Sequence, residues 1–225
     1  MTLLKTGRWI TAVALALLAA VYVRALAFTP IERAQGAAQK IFYIHVPSAW
    51  CAMLAMGLVG IAGILYLLLK DPRFDRFGEA SAEVGTAFSC VMLTTGPLWG
   101  KPIWGTWWTW DARLTLTLFL FLLFLGYLLL RGAVTDRGLR ARYSAVLGIC
   151  GLVLLPFIHL SVYFFRTLHP QPIVLKPSAP SLPGSMLVTL LFSFGVFTLL
   201  YVGFVTQRYA LAVLRESAES GGAHA

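Results

Sequence analysis

Six long apolar runs leave this chain few folds to choose from. They fall at residues 9–28, 48–69, 80–97, 113–130, 143–165 and 184–206. A helix needs about 20 mainly apolar residues to cross the hydrocarbon core, where each backbone polar group must find its partner within the protein. With 59% of residues hydrophobic, 12% charged and a mean hydropathy of +0.79, a soluble globular domain is excluded. The expected fold is all-α. It is a polytopic membrane protein with six transmembrane helices in one domain over 1–206, followed by a polar tail over 207–225.

Local signals set the expected boundaries. Lys5 and Arg8 precede the first run and Pro30 closes it, and no small-residue cleavage site stands before Arg24, so the run reads as a retained helix. Pro47 argues against a helix that starts before Ser48, and Ser48 is a suitable N-cap, which leaves His45 just outside the membrane core. Lys70 to Glu79, with Asp71-Pro72, reads as a charged loop. Pro156 should kink the fifth helix. Residues 166–183 form a proline-rich loop, and the tail from Arg208 is polar and ends in a Gly/Ala/His stretch that is expected to be disordered. Of the 18 Lys and Arg, eleven fall on the side that holds both termini and seven on the other. The positive-inside rule then puts both termini in the cytoplasm and three motif-bearing loops outside.

The stretch Trp99 to Thr115 holds five of the seven tryptophans, Trp99, Trp104, Trp107, Trp108 and Trp110, in an expected external loop over 98–112. Gly100, Pro102 and Gly105 oppose a continuous helix, but nothing opposes one from Thr106 onward. Trp104, Trp107 and Trp108 would then share a face at i, i+3, i+4 spacing. Such a shelf suits a planar aromatic ligand, because an indole offers a wide apolar face with one donor at its edge. Tryptophans also form interfacial belts, but a belt spreads over both interfaces, and here only Trp9 and Trp50 lie elsewhere. Asp111 has a bland role available as the N-cap of the helix that follows.

The net charge of +9 does not point to nucleic acid, because the basic residues are scattered singly between apolar runs as loop charges are. Cys51, Cys90 and Cys150 lack any Cys-x-x-Cys spacing, and there is no P-loop. Two histidines, His45 and His169, lie near the membrane boundary on the side of the tryptophan shelf. Two imidazoles flanking a flat aromatic surface match the axial needs of heme iron, and Arg113, Lys101, Arg166 and Lys40 lie near the same surface to meet carboxylates. His159 lies within the fifth run and reads as a neutral hydrogen-bonding residue; His224 is a tail residue.

The segment Trp104-Gly105-Thr106-Trp107-Trp108-Thr109-Trp110-Asp111-Ala112-Arg113-Leu114-Thr115 resembles the signature of the tryptophan-rich (WWD) heme-handling proteins of cytochrome c biogenesis. Ile41-Phe42-Tyr43-Ile44-His45-Val46-Pro47 and Thr167-Leu168-His169-Pro170 resemble the flanking histidine segments of one branch, the heme exporter protein C (CcmC) family. The resemblance covers essentially the whole chain. It implies a component of the bacterial inner membrane, not itself an enzyme, that presents heme b as transient cargo at the periplasmic face. It implies transfer to the heme chaperone CcmE, with CcmA, CcmB and CcmD as further partners in an ABC transporter complex. His45 and His169 would be axial ligands; Trp99, Trp104, Trp107, Trp108 and Trp110 the platform; and Asp111, Arg113 and Lys101 polar or propionate-holding residues. Two other readings compete. One is a membrane heme lyase acting on apocytochrome c; the other is a permease for a different solute.

Overall fold

The computed structural model describes residues 1–174, 176 and 178–222. Six helices carry the described chain: α1 Thr2–Val23, α2 Phe42–Leu69, α3 Pro72–Trp104, α4 Ala112–Ala133, α5 Arg137–Phe164 and α6 Gly184–Gly222. A π-helical turn, Arg24–Phe28, extends α1, and a 3-10 turn, Ala37–Ile41, leads into α2. Five of the six are long and apolar enough to cross a membrane, which makes this a multi-pass membrane protein. α3 has the length, at 33 residues, but carries Glu79 and Glu83 and is less apolar than the others.

α2 is the hub. It packs on α3, α5 and α6, while α1 lies against α6 and α4 bridges α5 and α3. Lipid is as apolar as leucine, so helices in a bilayer gain by close backbone approach rather than by burying apolar surface. The α2–α5 seam shows it: a Cβ added at Gly63 would stand 2.8 Å from the Ala145 carbonyl, and one at Gly148 would stand 3.1 Å from the Val59 carbonyl.

Ionic contacts close the end of the bundle that holds the α2–α3 and α4–α5 connections. Arg131, 7% exposed, donates Nη1 to Asp75 at 2.6 Å and Nη2 to Glu79 at 2.8 Å. Arg208 pairs with Glu83, and Arg76 with Glu216. Each partner satisfies a charge that would be costly to bury alone.

Several expected boundaries move. α2 begins six residues early, at Phe42, with Pro47 inside it; Ser48 is no cap but a buried residue whose Oγ donates to the Ile44 carbonyl at 2.7 Å. A proline in the second turn removes only one backbone bond, and the preceding 3-10 turn already sets the helical path. α3 starts at Pro72, since Asp71 accepts from the Arg73 amide as N-cap and proline suits the first helical position. It runs through Pro97 and Pro102 to end at Gly105, whose φ of 74° is a left-handed stop. Residues 106–111 are irregular, so no helix runs on from Thr106. α1 begins at Thr2, and α5 at Arg137 behind the Asp136 cap. α6 continues as helix to Gly222, well past its expected end at residue 206, because Arg208 and Glu216 are tied to α3. His224 lies outside the described residues.

Candidate functional site

At the end of the bundle opposite the ion pairs, the start of α2, the end of α3, the start of α4 and the loop after α5 converge on one cavity. Its wall includes His45, Trp99, Trp104, Trp107, Trp108, Arg113 and His169. A second cavity adjoins it, walled by Phe42, Trp50, His159, Ile173, Leu190 and Phe194 among others, and it shares Trp99, Arg113 and both His45 and His169 with the first. The volumes are about 200 and 290 Å³. Each alone falls below the roughly 300–1,000 Å³ usual for ligand sites; joined at the histidines they enter that range. A disc centred between the two imidazoles therefore has room on either side of its centre.

The ring nitrogens are fixed by their neighbours. His45 Nδ1 is 3.1 Å from Thr95 Oγ1, and that hydroxyl already donates its one proton to the Val91 carbonyl at 2.7 Å. The Thr95 oxygen must then accept, so His45 carries its proton on Nδ1 and keeps the lone pair on Nε2. His169 Nδ1 lies 2.9 Å from the Pro170 carbonyl, an obligate acceptor, with the same result. Both imidazoles thus hold a free Nε2 of the kind that ligates metals, oriented by a hydrogen bond on the other nitrogen. Burial, and after it the nearby Arg113 charge, lower the His169 pKa to about 4, so this imidazole is neutral at physiological pH. Gly96 gives the His45 ring its place beside α3: a Cβ there would meet His45 Cε1 at 3.2 Å.

The tryptophans divide. Trp99 stands edge-on to His45, with ring centres 5.7 Å apart, and its indole N–H donates to Gln35 Oε1 at 3.1 Å. Trp104 packs over Gly100, at the last turn of α3. Trp107 and Trp108 come from the irregular segment and reach the cavity without helical spacing. Trp110 does not join them. It is 76% exposed, stands edge-on to Trp108 with ring centres 5.8 Å apart, and lines an apolar groove between α4 and α5.

The polar residues also separate. Arg113 lines both cavities while its Nη1 donates to the Ile158 carbonyl at 3.0 Å. Lys101 is not in the cavity wall; its Nζ caps the end of α3 by donating to the Gly105 carbonyl at 2.9 Å and lies 6.0 Å from the Trp107 ring centre. Asp111 is a brace. One carboxylate oxygen accepts from the Leu114 amide at 3.0 Å as N-cap of α4, and the other accepts from the Leu168 amide at 3.3 Å and the Thr109 hydroxyl at 3.1 Å. His159 lines only the second cavity and tilts against Tyr163.

Thr95, Gly96 and Gln35 were missed in the sequence. Thr94-Thr95-Gly96-Pro97 near the C-terminal end of an apolar run was the available signal, because hydroxyls and a glycine there add nothing to a lipid-facing surface.

Comparison with known proteins bears on the same residues and on the rest of the chain. The family model described as "Heme exporter protein C" matches residues 2–223. The heme exporter protein C of Bradyrhizobium diazoefficiens is 44% identical over 195 residues, which cover 86% of this chain and 73% of the relative. That of Haemophilus influenzae is 40% identical over 205 residues, 91% of this chain and 83% of the relative. A putative cytochrome c biosynthesis ccmC-like mitochondrial protein of Marchantia polymorpha is 38% identical over 168 residues, 75% of this chain and 71% of the relative. With a match of that extent over a six-helix membrane protein, the chain belongs to the heme exporter protein C family.

Proposed function

We propose that this protein holds heme b as cargo between His45 and His169 and passes it to an acceptor in cytochrome c maturation. The observation that carries the reading is the matched state of the two imidazoles, each with Nδ1 committed as donor and Nε2 left free, where two cavities meet. Heme supplies an iron with two axial positions, and the residues fit it: Nε2 of each histidine for the iron, Trp99, Trp104, Trp107 and Trp108 for one half of the ring, and Arg113 for a propionate.

The chain's own work is to bind and to orient. A neutral imidazole can take the iron without first losing a proton. In this reading the protein is a transfer component rather than an enzyme. The acceptor is the chaperone CcmE, and CcmA, CcmB and CcmD complete the complex, with ATP hydrolysis in a separate chain. α3 crosses the bilayer with the other five, both termini are cytoplasmic, and the site faces the periplasm, as the charge asymmetry of the loops supports.

The test is the absorption spectrum of the purified protein, together with covalent heme on CcmE in the same membranes. A Soret band that transfers its heme to CcmE supports the reading; no band leaves a permease for another solute, and thioether formation on an apocytochrome peptide by the protein alone makes it a lyase. Thr106→Cys, in a background without the native cysteines, should react with an impermeant thiol reagent added outside intact cells. Labelling only after the membrane is opened would reverse the sidedness.

A further inference from the structure

At the end of the bundle remote from the histidines lies a cavity of about 510 Å³ walled by Glu79, Glu83, Arg131, Thr135, Arg137, Arg140, Arg208, Arg215 and Glu216. Five guanidinium groups face three carboxylates there, and the carboxylates are already engaged. Glu79 is held by Arg131, Glu83 by Arg208, and Glu216 by Arg76. Asp75 also serves Arg131, and Asp136 caps α5 by accepting from the Leu139 amide at 2.7 Å. Arg140 and Arg215 form no ion pair among the described residues, and the Arg140 Nε is buried with no hydrogen-bond partner. A buried guanidinium N–H without an acceptor is costly unless something outside the chain accepts it.

The surroundings say what kind of anion fits. The cavity lies where the α4–α5 connection meets the C-terminal part of α6, and Val134 and Ala212 line it beside the arginines. A phospholipid can place its phosphate at these arginines while its acyl chains stay against the apolar spans of the bundle, an anchorage that a free inorganic anion lacks. Basic pockets between helices at the positively charged side of a membrane protein take anionic headgroups in this way.

We propose that Arg140 and Arg215, with the Thr135 hydroxyl, bind the phosphate of an anionic phospholipid such as phosphatidylglycerol at the cytoplasmic end of the bundle. The inference is independent of the heme reading and rests on the opposite end of the molecule.

Native mass spectrometry of the detergent-purified full chain tests it with three probes: short-chain phosphatidylglycerol, phosphatidylcholine of the same chain length, and inorganic phosphate. Phosphatidylglycerol should bind in preference to both others, and Arg140→Gln with Arg215→Gln should lower that binding roughly tenfold. Arg73→Gln, an exposed arginine at the same end but outside the cavity wall, should leave it unchanged. Equal binding of the two lipids by wild-type protein overturns the proposal without recourse to any variant. So does inorganic phosphate binding as well as phosphatidylglycerol, which would make the pocket a simple anion site, and so does an equal loss in Arg73→Gln, which would make the effect one of surface charge.

Discussion

Asp111 accepts the backbone N–H of Leu168 at 3.3 Å, so the loop that carries the tryptophans holds the loop that carries His169. Its other oxygen caps α4 at the Leu114 amide. An amide in place of the carboxylate can keep the cap through its carbonyl but offers an N–H where Leu168 needs an acceptor. Asp111→Asn should therefore insert normally and yet retain several-fold less heme, since hydrogen bonds to a charged group contribute about 1.5–3 kcal/mol. Heme per protein after purification is the measure. Full retention would mean that His169 is positioned without this brace.

Thr95 sets which nitrogen of His45 is free. Thr95→Val keeps the shape but removes the acceptor for Nδ1–H, so the ring can turn or change tautomer. Losing such an orienting partner costs metal sites roughly tenfold or more in affinity. Thr95→Ser should restore what Thr95→Val loses, because only the hydroxyl is at issue. A Thr95→Val protein with an unaltered heme spectrum and retention would show that packing alone orients the ring.

The pH response follows from His169. Its pKa in the folded protein, about 4, lies below the ordinary 6.5 because burial and Arg113 disfavour the charged form. Between those values the unfolded chain takes up a proton that the folded chain refuses, so this residue costs stability as pH falls from 6.5 toward 4 and costs none above 6.5. The Nε2 lone pair meanwhile stays available through the same window. Nuclear magnetic resonance of imidazole-labelled apo protein should show the His169 ring, identified as the signal lost in His169→Ala, still neutral at pH 5. A residue titrating near 6.5 at this position would contradict the buried geometry.

The tryptophans should divide in function as they do in space. Trp107→Ala with Trp108→Ala removes two cavity-wall indoles and should lower bound heme by about thirtyfold, at about 1 kcal/mol for each aromatic contact beyond burial. Trp110→Ala should change heme content little, because that indole faces outward. If Trp110→Ala is as damaging as the double change, the whole segment acts as one docking surface and the cavity is not where the ring lies.

How much of this could be read in advance depended on the range of the interaction. The apolar runs were legible because a span of lipid dictates composition along consecutive residues, and the convergence of His45, His169 and the tryptophans followed from counting crossings. Proline was misread in both directions. Pro47, Pro97 and Pro102 lie within helices whose neighbours supply the path, while Asp71-Pro72 was taken for loop although a capping aspartate before proline is a helix start. Tertiary facts left no local trace: that Lys101 turns back to cap its own helix, that Trp110 points away, and that Asp111 reaches a loop 57 residues further on. Thr95 was hidden for the same reason, its role depending on a histidine 50 residues earlier.

The central claim is that His45 and His169 take the two axial positions of one iron, and absorption spectroscopy of purified single variants tests it most directly. Wild-type protein should show the Soret and visible bands of bis-histidine heme. His45→Ala and His169→Ala should each shift those bands and lower heme content, while His159→Ala leaves both nearly unchanged. Loss of heme in His159→Ala, with His45→Ala retaining the wild-type spectrum, would contradict the account and move the iron into the second cavity.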